Sequence, residues 1–278
     1  MTFDTTNCLD GQIPLADGSQ VDWLVQPISA HPALTAGNAP VGLLGSTESA
    51  RLAKLTIPKR RRDWLLGRWT AKHLLQEYLR HVTHTQVPLD ALAIGNDPDG
   101  APFATLRSRL PVSLSISHSG AYSFCAVAPL FTHCTLVGAP AEKIEIGADI
   151  ERIEHRGREF VADFFTGDEL TQVDHAPEAF RDTLVTIIWS AKEAMLKALR
   201  LGLTVDTRCI DVEAIPLDTP THTPAHKTDW AAMRLGLAPS VKLPMASAPV
   251  GWWRIMDGYV LTLAVLRHAE RLPMSAAV

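Results

Sequence analysis

Trp189-Ser190-Ala191-Lys192-Glu193-Ala194-Met195-Leu196-Lys197 decides how this sequence divides. Its first four letters echo Trp69-Thr70-Ala71-Lys72, 120 residues upstream. Around the earlier copy, Leu65, Leu74, Leu75 and Leu79 recur at helical intervals and predict a helix over 59–81. The later copy lies in a second expected helix, over 181–200. The flanking elements recur in order as well. In the first half, a strand at 21–28 and a charged, weakly helical stretch at 46–54 come before the helix. Strands at 89–94, 111–116 and 122–128 come after it, with turns at Asn96-Asp97-Pro98-Asp99-Gly100 and Ser119-Gly120. In the second half, a strand at 144–150 and a helix at 167–173 come first. Strands at 205–213, 251–256 and 259–266 follow, the last two joined as a hairpin at Asp257-Gly258. A four-letter match is weak by itself, but matched element order around it favours two related lobes. The expected fold class is α+β: lobes over 1–138 and 139–278, related by a pseudo-twofold axis, with a cleft at their junction. Residues 215–250 interrupt this scheme with Pro216, Pro220, Pro224, Pro239, Pro244 and Pro249. They read as an inserted surface excursion containing a short helix at 229–237.

Composition narrows the functional classes. The chain has 278 residues, 46% hydrophobic and 20% charged, which fits a globular protein with a substantial core. Lys and Arg number 26 against 30 Asp and Glu, a net charge of -4, so a basic protein coating nucleic acid is not expected. No run approaches the roughly 18 apolar residues that span a bilayer. The first residues carry Asp4 and Asp10 and lack a signal-peptide pattern. Cys8, Cys125, Cys134 and Cys209 form no C-x-x-C pair, so free thiols in a reducing cytoplasm are expected.

Five segments carry chemistry. In Ile146-Gly147-Ala148-Asp149-Ile150-Glu151, strand alternation puts Asp149 and Glu151 on one face and Ala148 and Ile150 on the other. Paired carboxylates suit a hard cation such as Mg²⁺, and the alternative is a solvated edge strand. Glu193 and Lys197 are four apart on one helix face, as an ordinary surface ion pair would be. Ser113 to Gly120 is a strand of small polar residues ending at His118, which suits either a phosphate contact or a turn cap. Lys59-Arg60-Arg61-Arg62, with Arg51, Lys54 and Arg68 nearby, opens the first long helix. It reads as a solvated face, a nucleic-acid patch or a clamp for a phosphorylated small molecule. Thr166-Gly167-Asp168-Glu169 is a capping box, which explains Glu169 structurally.

Taken in order, these segments resemble the 4′-phosphopantetheinyl transferases of the surfactin-synthetase type. The matching residues are Gly67-Arg68 after the basic run, Ser117-His118-Ser119-Gly120, Gly147-Ala148-Asp149-Ile150-Glu151, Phe164-Phe165 with Glu169, and Trp189-Ser190-Ala191-Lys192-Glu193 with Lys197. The resemblance runs from about Arg51 to Leu203. It implies two lobes with coenzyme A in the cleft between them and a requirement for Mg²⁺. The implied reaction moves the phosphopantetheine arm to a serine of an acyl or peptidyl carrier protein, releasing 3′,5′-adenosine diphosphate. By position, it implies Asp149, Glu151 and Glu193 as Mg²⁺ ligands and Lys197 as the cation on the transferring phosphate. Ser117, His118, Asp149 and Lys197 are implied contacts to coenzyme A, with Lys59, Arg62 and Arg51 as candidates for its 3′-phosphate clamp. Glu169 or Glu193 is the implied general base. The carriers of such enzymes serve fatty-acid, polyketide and peptide synthesis, so secondary metabolism enters as an expectation.

One departure stands out: Gly100-Ala101-Pro102 has alanine where the family often has a basic residue. A side-chain cation at that position is excluded, which shifts the expected 3′-phosphate binding towards Lys59–Arg62. A Mg²⁺-dependent phosphatase or nuclease would use the same carboxylates with water as nucleophile. A carrier-binding module without catalysis is the third reading, and intact Asp149, Glu151, Glu193 and Lys197 argue against it. A monomer is expected, with neither nucleic acid nor membrane as partner, because both lobes lie in one chain.

Overall fold

The computed structural model describes residues 8–132, 142–214, 229–241 and 248–269. The first half runs β1 (Leu9–Pro14), β2 (Gln20–Pro27), α1 (Pro32–Thr35), α2 (Ser46–Ala53), α3 (Pro58–Thr83), β3 (Ala93–Asn96), β4 (Pro102–Leu106), β5 (Ser108–Arg109), β6 (Val112–Ser119) and β7 (Tyr122–Pro129). The second half runs β8 (Glu142–Arg152), α4 (Arg158–Phe164), α5 (Gly167–His175), α6 (Glu178–Ala198), β9 (Ile210–Glu213), β10 (Ala231–Leu237), β11 (Val250–Met256) and β12 (Tyr259–Ala269). The fold is α+β. Its antiparallel sheets have the orders β1-β2-β7-β6, β8-β12-β11-β10-β9 and β3-β4-β5.

The two larger sheets pack face to face because their strands alternate. Val21, Trp23, Val25, Phe124 and Ala126 from one sheet meet Ile144, Ile146, Ala148, Ile150, Leu261, Leu263 and Val265 from the other. The opposite faces take the long helices. Leu24, Leu114, Cys125 and Val127 pack on Ala71, Leu74, Leu75 and Leu79 of α3. Val260, Ala264 and Leu266 pack on α6 residues including Ala191, Ala194 and Met195. The result is a four-layer stack, α3, sheet, sheet, α6. At the seam, β6 and β8 are stitched by side chains: Ile146 N–H donates to Ser113 Oγ at 3.1 Å, and Ala148 N–H to Ser115 Oγ at 2.8 Å. The alternating serines of β6 thus accept β8 N–H groups that an edge strand would otherwise leave unmade.

The repeated Trp-x-Ala-Lys segments perform one task twice. Lys192 Nζ, with no exposed side-chain surface, donates to the carbonyls of Thr207 and Ile210 at 3.0 and 2.6 Å and lies 2.9 Å from Glu169 Oε2. Lys72 Nζ, equally enclosed, donates to the carbonyls of Leu43 and Leu89 at 2.7 and 3.1 Å and to Glu48 Oε2. Each glutamate then accepts a strand N–H: Val212 to Glu169 Oε1 at 2.8 Å, and Ile94 to Glu48 Oε1 at 3.2 Å.

This device corrects two sequence expectations. Strands were expected at 89–94 and 205–213, but each segment contains a 3₁₀ turn, Leu89–Ala91 and Thr207–Cys209. The carbonyls of Leu89 and Thr207 turn inward to a buried lysine, so their segments cannot run as extended strands. A third correction concerns 229–237, expected as a short helix in a surface excursion. Residues 231–237 form β10, between β9 and β11, with Met233 and Leu235 buried. Their period-two alternation was masked by flanking prolines. Residues 215–228 and 242–247 of that excursion lie outside the described residues, as does Cys134. Cys8, Cys125 and Cys209 are free thiols. No helix among the described residues is long and apolar enough to cross a membrane.

Burial pushes the pKa of Glu169 up and that of Lys192 down, each towards its neutral form, while their mutual attraction counters the shift. Removing one partner strands the other without water. Glu169→Ala should therefore lose about 3–5 kcal/mol in urea unfolding. The double variant Glu169→Ala/Lys192→Met should be more stable than Glu169→Ala alone, because no ammonium is left unpaired. Equal stability of the two would mean that the pair does not act as a unit.

Candidate active site

Strand β8 aims its odd-numbered residues at α6. Gly147 makes the approach possible: a Cβ there would lie 1.7 Å from the carbonyl oxygen of Ala194, so any side chain would push the helix away. With α6 this close, Asp149 and Glu151 of β8 meet Glu193 of α6. One carboxylate oxygen from each lies within 4.8 Å of the others.

Asp149 is 1% exposed and accepts three hydrogen bonds, only one of them at Oδ2. Its Oδ1 accepts from Ser117 Oγ at 2.8 Å and Lys197 Nζ at 2.7 Å, and its Oδ2 accepts from Ser190 Oγ at 2.7 Å. Lys197 also donates to Ser117 Oγ and the Ala148 carbonyl, at 3.0 and 3.1 Å. The surface pair read from the spacing of Glu193 and Lys197 is thus replaced by an ion pair across elements. Glu151 Oε2 accepts from Arg156 at 3.0 Å.

Burial and then the Asp149 charge raise the pKa of Glu151. The same two causes, opposed by Lys197, push Glu193 up to about 7. Three carboxylates in one half-buried place repel, and a hard divalent cation relieves that repulsion with the oxygen donors it prefers. The donor set therefore fits Mg²⁺.

The other expected residues divide. Ser117 belongs to the cluster. His118 stands at the exposed end of β6. Partial enclosure by the cleft lowers its pKa; Asp63 opposes this, while Lys59 and Lys197 add to it. Lys59 is exposed and pairs with Asp63 at 2.7 Å, and Arg62 is half-buried. Arg61 is turned to the backbone, donating to the carbonyls of Gly37 and Leu52 at 2.6 and 2.7 Å. Arg51 is exposed on α2 and close enough to Arg68 to lower that residue's pKa, after the larger effect of burial. Glu169 is not brought to the cluster's surface. Its side chain is 0% exposed, and its oxygens take Lys192 and the N–H groups of Thr166 and Val212. As a general base it has no access to an incoming hydroxyl; it is a strut and the expected capping box.

A cavity of about 230 Å³ runs along the seam from Lys197. Its walls include Ser113, Ser115, Glu145, Ala101, Arg109 and Arg200. Sequence reasoning missed both arginines. Arg109 grips Asp97 at 2.9 and 2.7 Å; Arg200 bonds Asp97 and lies 2.8 Å from Asp99. Arg109 and Arg200 thus bring cations to the wall where Ala101 supplies none. Arg156 was also missed; nothing in its local pattern marks it.

Residues 145–261 match the family model of the 4′-phosphopantetheinyl transferase superfamily. That span holds Asp149, Glu151, Glu193 and Lys197. The mouse L-aminoadipate-semialdehyde dehydrogenase-phosphopantetheinyl transferase is 22% identical over 220 residues, covering 72% of this chain and 58% of the mouse protein. The match thus spans little more than half the length of that relative. Among solved structures, holo-[acyl-carrier-protein] synthase from Neisseria meningitidis aligns with 44% of this chain and 96% of its own, at 18% identity and a TM-score of 0.34. The Helicobacter pylori synthase, in complex with coenzyme A, aligns with 44% of this chain and 98% of its own, at 15% identity and a TM-score of 0.32.

The raised Glu193 pKa has a thermodynamic consequence. The folded chain holds a proton up to about pH 7 that the unfolded chain, with an ordinary value of 4.5, has released. Deprotonation therefore weakens the fold as pH rises through that window. In chelator, Glu193→Gln should gain stability relative to the parent as pH rises from about 5 to about 8, read by thermal melts. A difference in melting temperature that does not change with pH would contradict the arrangement.

Proposed function

We propose that this chain is a 4′-phosphopantetheinyl transferase of the surfactin-synthetase type. It would move the phosphopantetheine arm of coenzyme A to a serine of an acyl or peptidyl carrier protein. The observation that carries this reading is the meeting of Asp149, Glu151 and Glu193 with Lys197 and Ser117 at the seam between the two sheets. The superfamily match over 145–261 supports it. The domain division at 138/139, a monomeric state, a cytoplasmic location and service to secondary metabolism belong to the same proposal.

In this reading, Asp149, Glu151 and Glu193 hold Mg²⁺, which supplies charge neutralisation on the diphosphate. The chain's own residues do the rest. Lys197, 31% exposed at its side chain, offers an ammonium to phosphate oxygens entering the cleft. Ser117 and His118 border the same place from β6. Phosphoryl transfer needs positioning and electrostatic stabilisation more than covalent catalysis, and the two-sided cleft supplies both. Of the two carboxylates considered as base, Glu193 alone reaches solvent. It takes the role of accepting the carrier serine's proton. Lys59 and Arg62, with Arg51 further out, are the proposed contacts to the 3′-phosphate.

The direct test is the intact mass of an apo carrier protein after incubation with coenzyme A, Mg²⁺ and this chain. A gain of one phosphopantetheine group is expected; phosphate release without that gain would instead identify a phosphatase or nuclease. Lys59→Ala/Arg62→Ala should raise KM for coenzyme A and affect kcat less, as loss of uniform binding does. The same variant should discriminate less than the parent between coenzyme A and dephospho-coenzyme A. Undiminished discrimination would remove these two residues from the clamp.

A further inference from the structure

Arg156 lies in the turn between β8 and α4, outside every motif the sequence suggested. Its guanidinium is held from three sides. Nη2 donates to Glu151 Oε2 at 3.0 Å, and Nη1 donates to Thr186 Oγ1 at 3.0 Å. Its carbon lies 5.5 Å from the centre of the Phe160 ring. Each support is itself fixed. The Thr186 hydroxyl donates to the Asp182 carbonyl at 2.8 Å, leaving its lone pairs to Arg156. Phe160 packs edge-on against Trp189 at 4.9 Å. The Arg156 side chain is only 10% exposed, and that of Glu151 25%. A planar fork that bridges a carboxylate and a hydroxyl gives direction as well as charge, which an ammonium cannot.

We propose that Arg156 is a positioning residue for the divalent-cation site. By tying Oε2 of Glu151 to α6 through Thr186, it sets the carboxylate so that its remaining oxygen is left for the cation. The inference rests on the functional reading above. It also makes a prediction of sign. Were Arg156 merely a charge near the site, it would repel a divalent cation, and removing it would tighten binding. If it positions Glu151, removing it loosens binding.

The experiment titrates Mn²⁺, a spectroscopic stand-in for Mg²⁺, into the full chain with and without coenzyme A, read by electron paramagnetic resonance. Arg156→Met should weaken Mn²⁺ binding by about tenfold or more, the usual scale for losing a group that orients a metal ligand. Arg156→Lys, which keeps the charge but not the fork, should recover only part of that loss. Thr186→Val, which removes the anchor and leaves the arginine, should show a smaller loss in the same direction, and it decides the question if Arg156→Met fails to fold. In transfer assays, excess Mn²⁺ should return kcat of Arg156→Met towards the parent value, which metal would not do for a general structural lesion. Unchanged or tighter Mn²⁺ binding in Arg156→Met, or in Thr186→Val should the first not fold, overturns the proposal while the functional reading stands. A parent that binds no Mn²⁺ even with coenzyme A overturns both.

Discussion

The carboxylate of Asp149 is the point on which the structure turns. It is buried and charged, and it draws one donor from β6 and two from α6. A buried carboxylate is tolerable only when its lone pairs are met, so these three partners are obligatory rather than incidental. Meeting them holds the edge of one sheet against the other and sets the rotation of α6 about its axis. The Gly147 approach and the serine stitches at Ile146 and Ala148 follow the same line along β8. One residue therefore joins the two halves and anchors the acidic cluster.

Around that centre the chain repeats a scaffold without repeating its chemistry. Glu48–Lys72 and Glu169–Lys192 brace their helices in the same way, each to a carbonyl-rich turn and a strand N–H. At the same offset of 120 residues, however, His73 stands where the second copy has Glu193, and Glu77 where it has Lys197. A buried pair of this kind adds little net stability, because desolvation offsets much of the attraction. What it adds is direction: the lysine dictates which carbonyls point inward and where the following strand begins.

The cleft is electrically uneven along its length. At one end, Asp149, Glu151 and Glu193 face Lys197 and Arg156, so carboxylates exceed cations and a divalent ion is welcome. At the other, Asp97 and Asp99 face Arg109 and Arg200 in balance. That network ties Arg200 to Asp97, 103 positions away in sequence, and its Asp99, Arg109 and Arg200 line the cavity.

Much of this was legible in the sequence. Periodicity located both long helices, the β6–β7 and β11–β12 hairpins and β8, because each repeats its side-chain character at one regular period along the chain. The alternation of Asp149 and Glu151, and the placement of Glu193 and Lys197 on one helix face, followed from the same arithmetic. β10 was read as a short helix because the flanking prolines suggested an excursion outside the sheet. Its membership of the sheet depends on β9 and β11 offering hydrogen bonds from both sides. Glu169 was misread as a possible base because a motif lists residues without saying which are enclosed.

The sequence by itself determined the two long helices, β8 and the strands of the β6–β7 and β11–β12 hairpins, since local periodicity and capping need only neighbours along the chain. Only the tertiary structure decided that Lys197 turns to Asp149 rather than Glu193. It alone decided that Ser113 and Ser115 stitch β8, and that Arg156, Arg109 and Arg200 stand beside the cleft. The reason is physical: a buried or half-buried charge takes its partner from whatever element packing brings within hydrogen-bond reach, and for these groups that element is remote in the chain.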